Sequence, residues 1–336
     1  MIAVPPVQRA ALPAELRGLR RDSARLCVID RWSSQIAHSV VARLGDFLSP
    51  GSLLVVNSSR TLPGALPMTR EDGGAVQVRP AVRRPGHWDA LAVEAAPPHR
   101  NIRLRFGELL RARDGLSLRV VGHRDDAPLL WQLAVETGDP LATLLREGEP
   151  IRYSYVPEPV TLEHYQTVYG RVPGSVETPS AGRHLTWELL MSLRRHGVGL
   201  TDIVLHCSIS SLQDDAVDAR KPLIEEWFEV DAGAARAVNA ASRVVAVGTS
   251  VVRALESSVD ASGVVQPARG WATLAVTPAT KIRSVDALLS GFHEPPATHL
   301  DMLRAFVDTP LLERAYRESR ERGYLWHEFG DAMLIL

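Results

Sequence analysis

The stretch R-V-V-A-V-G-T-S-V-V-R-A-L-E-S, residues 243–257, decides the fold. Its first half is the run of small apolar residues expected of a strand buried on both faces. Gly248 breaks that run, and T-S-V-V-R-A-L-E-S-S reads as a helix. A strand that passes through one glycine into a helix is the unit of an α/β layer. The first N–H groups of such a helix have no partner within it, and its dipole favours a carboxylate or phosphate. Thr249 or Ser250 can add a hydroxyl there, or can simply cap the helix. The segment is not G-x-G-x-x-G, so it is no dinucleotide fingerprint. Arg253 and Glu256, three positions apart, either pair with each other or face the junction.

Outward from this unit, strands and helices alternate from about Tyr153 to the end. L-T-W-E-L-L-M-S-L-R-R-H-G reads as a helix with Leu185, Leu189, Leu190 and Leu193 on one face and Gly197 as its stop. L-T-D-I-V-L-H-C-S-I and E-E-W-F-E-V read as strands. D-A-G-A-A-R-A-V-N-A-A-S-R reads as a helix, and P-A-T-K-I-R-S-V-D-A-L-L-S-G-F as strand then helix. T-H-L-D-M-L-R-A-F-V-D, P-L-L-E-R-A-Y-R-E-S-R-E-R-G and D-A-M-L-I-L complete the pattern. The first 61 residues contain the strand candidates S-A-R-L-C-V-I-D-R and S-L-L-V-V-N-S-S. Between them lies a helix-like face at Val41, Leu44 and Leu48.

The texture between residues 62 and 152 is different. A-V-Q-V-R-P-A-V, H-W-D-A-L-A-V-E-A, N-I-R-L-R-F-G, L-S-L-R-V-V-G-H and P-L-L-W-Q-L-A-V-E are short, partly alternating runs separated by turn signals. That is the signature of a small antiparallel barrel or sandwich, closed by a short helix at A-T-L-L-R-E. The expected architecture is an α/β domain with a mixed sheet, built from residues 1–61 and 153–336, carrying an inserted antiparallel β-barrel at 62–152.

Composition narrows the function. The 336 residues are 45% hydrophobic and 23% charged, the values of a globular protein rather than a disordered or fibrous one. Basic and acidic residues number 38 and 39, so a nucleic-acid-coating protein is not expected, although a local basic face is compatible. Lys221 and Lys281 are the only lysines; every other cation is arginine, which suits planar phosphate or carboxylate recognition. Cys27 and Cys207 sit in apolar runs and read as reduced thiols. The N-terminus lacks a secretory pattern, and no apolar stretch approaches the ~20 residues needed to span a bilayer. A cytoplasmic location, no membrane and no evident protein partner are expected.

Further segments can carry chemistry. Y-Q-T-V-Y-G-R-V-P-G-S-V-E-T-P-S-A-G-R-H crowds small and polar residues before a helix, a loop able to close over a ligand. Tyr165, Gln166 and Tyr169 could hydrogen-bond or stack on a nucleobase, or be structural. His184 opens a helix, His206 ends a strand and His293 follows L-L-S-G-F. Strand ends in an α/β sheet are where ligands bind. No H-E-x-x-H, G-x-S-x-G or G-x-x-x-x-G-K-[ST] occurs, so no metal is expected, and neither an α/β-hydrolase nor a P-loop NTPase. Asp331 in F-G-D-A-M-L-I-L is a turn or site residue.

Seven blocks in one order, V-V-N-S-S-R-T-L-P-G-A-L, the 164–200 segment, I-V-L-H-C-S-I-S-S, E-E-W-F-E-V, the 243–257 unit, V-D-A-L-L-S-G-F-H-E-P-P-A-T-H-L-D-M-L-R-A-F and F-G-D-A-M-L-I-L, resemble the S-adenosylmethionine:tRNA ribosyltransferase-isomerase family of queuosine biosynthesis. The resemblance runs from about residue 13 to the end. It implies an α/β domain with an inserted barrel. It also implies S-adenosylmethionine as ribosyl donor, with the aminomethyl-deazaguanine base at the tRNA anticodon wobble position as acceptor. Adenine and methionine would be released and the ribosyl group rearranged to an epoxycyclopentane, with no metal or redox cofactor. Such chemistry needs a base near the sulfonium-activated C5′, an acid or hydrogen bond on departing adenine, and a pocket that excludes water.

By this resemblance His184, His206 and His293 are the acid/base candidates. Asn57, Arg60, Tyr165, Gln166, Tyr169, Ser180, Gly182, Gly248, Thr249, Arg253, Glu256 and Asp331 are candidates for substrate binding. Pro179, Ala181, Phe292, Thr298 and Gly330 also match family motifs. The chain departs from those motifs as well. Ser58 replaces an acidic residue, Ala65 an arginine, Ser208 and Ser210 glycines, Leu212 an aromatic, Gln213 and Leu325 arginines, Gly291 an asparagine and Pro296 a lysine, and a histidine is absent near Ile224. Lost cations remove phosphate contacts. A second expectation therefore stands beside the first: a diverged paralogue acting on S-adenosylmethionine or a related nucleoside, with a non-tRNA acceptor or by elimination.

Overall fold

The computed structural model describes residues 8–153, 155–218, 223–294 and 298–336. Strands β1 (Arg25–Asp30) and β2 (Gln35–Val40) form a hairpin, followed by β3 (Ser52–Asn57) and β4 (Ser59–Thr61). Six strands come next: β5 (Leu66–Thr69), β6 (Ala75–Arg84), β7 (His87–Glu94), β8 (Leu109–Arg111), β9 (Ser117–His123) and β10 (Leu130–Thr137). Then come α1 (Pro140–Glu147), β11 (Val172–Ser175), α2 (Trp187–Arg195), β12 (Gly199–Leu205), α3 (Asp215–Asp218), β13 (Glu226–Val230) and α4 (Ala232–Ala240). The chain finishes with β14 (Arg243–Val247), α5 (Thr249–Glu256), β15 (Ala268–Ala272), β16 (Ala287–Gly291), α6 (Thr298–Phe306), α7 (Thr309–Glu321) and β17 (Ala332–Ile335).

Nine strands make one mixed sheet in the order β15-β13-β12-β3-β14-β16-β17-β1-β2. Its centre, β12-β3-β14-β16, is parallel, and β17 runs against β16. Successive side chains of a strand point to opposite faces. Leu53 and Val55 of β3 accordingly pack with residues of α4, α5, α6 and α7, while Leu54 and Val56 pack with Leu189, Leu190 and Leu193 of α2. Burial on both faces explains why β3 and β14 read as continuous apolar runs. Val41, Leu44 and Leu48 are buried as expected, but the segment Val41–Phe47 is a 3-10 helix.

Strands β5 to β10 form a closed barrel in the order β10-β7-β6-β5-β8-β9. Leu66, Val78, Trp88, Leu118 and Leu133 belong to its own core. Ala65 and Glu149 exchange two backbone hydrogen bonds (2.9 and 2.8 Å), pinning together the strands of chain that enter and leave it. A second apolar cluster joins Ala81, Leu91 and Leu130 of the barrel to Ile151, Val176, Ile209, Leu212 and Ile224. Beside it, Glu225 receives both Arg84 and Arg124 at 2.8 Å. The barrel is therefore seated on the loops that follow β11 and β12.

Two local expectations are corrected. N-I-R-L-R-F-G forms no strand; Asn101 makes an isolated bridge to Val93 and donates its amide to Leu212 O at 2.9 Å. In P-A-T-K-I-R-S-V-D-A-L-L-S-G-F the order is different: the first part is irregular and the end is strand β16. Leu288 and Leu289 are fully buried beside β14 and β17, and a short apolar run has no period that separates strand from helix. β15, paired to β13, is an additional strand.

Leu54 lies at the middle of the sheet and is 1% exposed. Leu54→Ala should lower unfolding free energy by about 2–5 kcal/mol, read as a reduced urea midpoint.

Candidate functional site

The four parallel strands end on one edge, and each end leads directly into a candidate residue: Asn57 closes β3, His206 follows β12, Gly248 follows β14 and Phe292 and His293 follow β16. Asn57 is 1% exposed and ties this edge together. Its amide nitrogen donates to Leu205 O (2.8 Å) and Ser250 Oγ (3.2 Å). Its amide oxygen accepts from the N–H groups of Leu205 and Ser59, each at 3.0 Å. Asn57 thus joins β3, β12 and the start of α5.

His206 is partly buried. Its Nδ1 lies 2.8 Å from Ser59 Oγ, which lies 2.7 Å from Ser175 Oγ; that second hydroxyl accepts the Cys207 N–H at 2.9 Å. The second ring nitrogen, Nε2, makes no hydrogen bond among the described residues. Burial, and secondarily the Arg83 cation, push the His206 imidazole down to about 4, so it is neutral at physiological pH. Arg83 donates to Gly174 O. Gly174 is obligatory: a Cβ there would overlap the His206 ring.

Gly248 is the N-terminal cap of α5, with φ +93°. A side chain is disfavoured at that φ, and no side chain caps the helix. Gly248 N bonds Leu289 O at 2.8 Å, and the N–H groups of Thr249 and Ser250 have no hydrogen-bond partner among the described residues. Ala181 packs against Gly248; the neighbouring Gly182 makes room for the Tyr169 hydroxyl, which a Cβ would overlap. His184 is fully enclosed, has an unpartnered Nδ1, and is pushed down to about 4 by burial and by Arg183. His293 is held neutral by burial, with His299 stacked on it at 4.6 Å and Ser290 Oγ 3.2 Å from its Nε2.

Other candidates are engaged inside the fold. Arg253 and Glu256 do not pair with each other. Arg253 pairs with Glu226 and donates to Ala272 O (2.7 Å), while Glu256 accepts the backbone N–H groups of Arg283 and Ser284 and the Ser284 hydroxyl. Gln166 brackets Thr61 with two bonds of 2.8 and 3.0 Å. Tyr165 packs on Phe329, with ring centroids 5.1 Å apart. Asp331 accepts the N–H groups of Arg25 (2.7 Å) and Leu325 (2.8 Å). Arg60 is exposed and reaches Gly170 O at 3.3 Å, and Ser180 is half-buried next to Ala181. Pro296 lies outside the described residues, as does the side chain of Thr298.

Sequence reasoning missed a group around these loops. Glu177 accepts the Tyr153 hydroxyl and the Ser210 N–H (2.8 Å). Glu328, under the charge of Glu177, is pushed up to about 8, chiefly by burial. Arg183 sits over the Phe329 ring at 5.0 Å. A glutamate in the apolar run W-H-E-F was the one available signal. Among the described residues, no three His, Cys, Asp or Glu are grouped to hold a metal ion.

The family described as "Queuosine biosynthesis protein" matches residues 2–335. The S-adenosylmethionine:tRNA ribosyltransferase-isomerase of Thermus thermophilus is 38% identical over 325 residues, covering 94% of this chain and 93% of the relative. That of Moorella thermoacetica is 34% identical, covering 99% and 97%. The crystal structure of S-adenosylmethionine tRNA ribosyltransferase from Thermotoga maritima is 26% identical, covers 99% of this chain and 98% of that one, and superimposes with a TM-score of 0.54.

His184 and His206 set a pH dependence. Each has a native value near 4, below the ordinary 6.5, so between those limits the unfolded chain binds protons that the native state refuses. Their contribution to stability is complete above pH 6.5 and falls as pH drops towards 4. The urea midpoint of His184→Gln should therefore fall less than that of the wild type between pH 7 and 5. An equal fall would show that His184 titrates normally.

Proposed function

The chain belongs to the queuosine biosynthesis protein family of S-adenosylmethionine:tRNA ribosyltransferase-isomerases, and from that premise we propose its reaction. The enzyme transfers the ribosyl group of S-adenosylmethionine to the 7-aminomethyl-7-deazaguanine base of tRNA and isomerises it, releasing adenine and methionine. The donor lies across the strand-end edge, with the free N–H groups of Thr249 and Ser250 as its polar anchor. The acceptor base enters from the tRNA anticodon region. In this reading residues 1–61 and 153–336 form the catalytic unit and 62–152 the barrel unit.

The observation that carries the reading is His206, a neutral imidazole with Nε2 unbonded on that edge. With its proton on Nδ1, donated to Ser59 Oγ, it presents a lone pair at Nε2. That lone pair can accept a proton from C5′, whose acidity the adjacent sulfonium raises. Ser59 and Ser175 fix the ring's orientation, and Gly174 lets the backbone close on one side of it. His184 and His293 are further neutral imidazoles on segments that reach the same edge.

A second reading keeps the donor and changes the acceptor. What favours it is the loop after His206. Leu212 is fully buried against the barrel, and Ser208 Oγ is bonded to Ala81 O at 2.7 Å. Arg253 also gives its charge to Glu226 rather than to a ligand.

Free adenine, measured chromatographically, tests both. Incubation with S-adenosylmethionine should release adenine only when tRNA carrying the deazaguanine base is present. Release without that tRNA would select the second reading, and no release in either case would remove both. His206→Asn should lower turnover by ~10²–10⁴-fold, with a melting temperature close to that of the wild type. A variant that loses only stability would reassign His206 to structure.

A further inference from the structure

Two buried atoms of opposite charge type flank Phe329 without a hydrogen-bond partner. One is Nη1 of Arg183, a residue only 1% exposed. The other is Oε2 of Glu328. The two side chains interact electrostatically yet form no bond to each other. Buried N–H and carboxyl groups are nearly always partnered, because an unmade bond leaves the group's desolvation uncompensated, the more so when it is charged. An opposed pair of such atoms is the imprint of a ligand that brings both an acceptor and a donor.

Neither group is free to swing into a partnership of its own. Arg183 is anchored by Nε to His164 O (2.6 Å) and by Nη2 to Glu15 Oε2 (2.6 Å), which fixes the direction of the unpartnered Nη1 amino group. Glu328 is held in the turn between Trp326 and Gly330, with Tyr155 beside it and Glu177 close enough to repel it. Glu177 is itself fixed by Tyr153 and Ser210. Burial and Glu177 push the Glu328 carboxyl up to about 8, a sign that no cation of the fold balances it fully. Arg183 directly follows Gly182 and Ala181, and Ala181 packs on Gly248 at the start of α5. The pair thus lies one segment away from the strand-end edge.

We propose that Arg183 Nη1 and Glu328 Oε2 bind the α-amino-acid end of the ribosyl donor, the carboxylate on the guanidinium and the ammonium on the carboxyl. This inference depends on the reading that S-adenosylmethionine is the donor. A zwitterionic α-amino acid is the small group that presents an anionic acceptor and a cationic donor a few ångströms apart, and charge-assisted bonds of both kinds are the strong ones. The Phe329 ring under Arg183 and the Tyr155 ring beside Glu328 offer the aliphatic chain apolar surface.

The test compares S-adenosylmethionine with 5′-methylthioadenosine, which keeps the nucleoside and lacks the amino-acid end, by calorimetric titration of the intact protein. The wild type should bind S-adenosylmethionine at least about tenfold more tightly, the scale of one charge-assisted bond. Glu328→Gln, close to isosteric, should remove most of that preference and leave the methylthioadenosine affinity unchanged. Arg183→Lys, which keeps the charge and loses the planar fork, should also reduce it. Melting curves confirm that each variant is folded. If both nucleosides bind and the variants leave the preference intact, the inference is overturned while the donor reading stands. If neither nucleoside binds the wild type, the donor reading itself fails and takes the inference with it.

Discussion

The structure depends on one side-chain amide. Asn57 uses both of its polar atoms on backbone and hydroxyl groups of two neighbouring segments, at the point where β3 leaves the sheet. Without it, Leu205 at the end of β12 and Ser59 at the start of β4 would be left with unsatisfied buried N–H groups, and Ser250 would lose its tie to the sheet. With it, the ends of β12 and β3 and the first turn of α5 share one geometry. The loops beyond inherit that geometry: Ser59 reaches His206, Ser175 reaches Cys207, and Gly248 meets Ala181. A buried polar network of this kind is costly if half made and rigid if complete. Here every hydrogen-bonding position of the Asn57 amide oxygen and nitrogen that the fold can reach is used.

The electrostatics of the site follow from enclosure more than from charge. His184, His206 and His293 are all depressed chiefly by burial, and Glu328 is raised for the same reason. The imidazoles are therefore uncharged at neutral pH, and so is the Glu328 carboxyl until a cation reaches it. For the proposed reaction, uncharged imidazoles mean that no fixed imidazolium repels a cationic sulfonium donor. The charged pairs are arranged around this interior: Arg253 with Glu226 behind α5, and Glu225 with Arg84 and Arg124 against the barrel.

Much of the fold was legible because burial leaves periodic traces. β3 and β14, covered on both faces, read as apolar runs, and α2 and α7 show helical stripes. β16 was misread as a helix because a five-residue run with four consecutive buried residues carries no period, and N-I-R-L-R-F-G imitated a strand by alternation alone. At the site, strand-end residues were legible from their place in the pattern. Their division of labour was not. Arg253, Glu256, Gln166 and Asp331 are polar residues in the same glycine-bearing segments as the strand-end candidates, and only the three-dimensional partners separate an internal clamp from an open group. Glu177 and Arg183 were passed over inside a loop that was itself identified. The partners that matter to them, Ser210 and Phe329, are far away in sequence.

The neck formed by Ala65 and Glu149 bears on how the chain assembles. Asn57 and Leu205, 148 positions apart, must meet before the central sheet can close. Loop-closure entropy grows with the logarithm of the free chain between two partners. The barrel draws its pairing from within its own segment and returns the chain to its starting point at two backbone hydrogen bonds. Once that knot of local contacts has formed, the 148 positions between Asn57 and Leu205 reduce to the 8 from Asn57 to Ala65 and the 56 from Glu149 to Leu205. The barrel thereby acts as a staple in the chain path, turning a distant strand pairing into a near one.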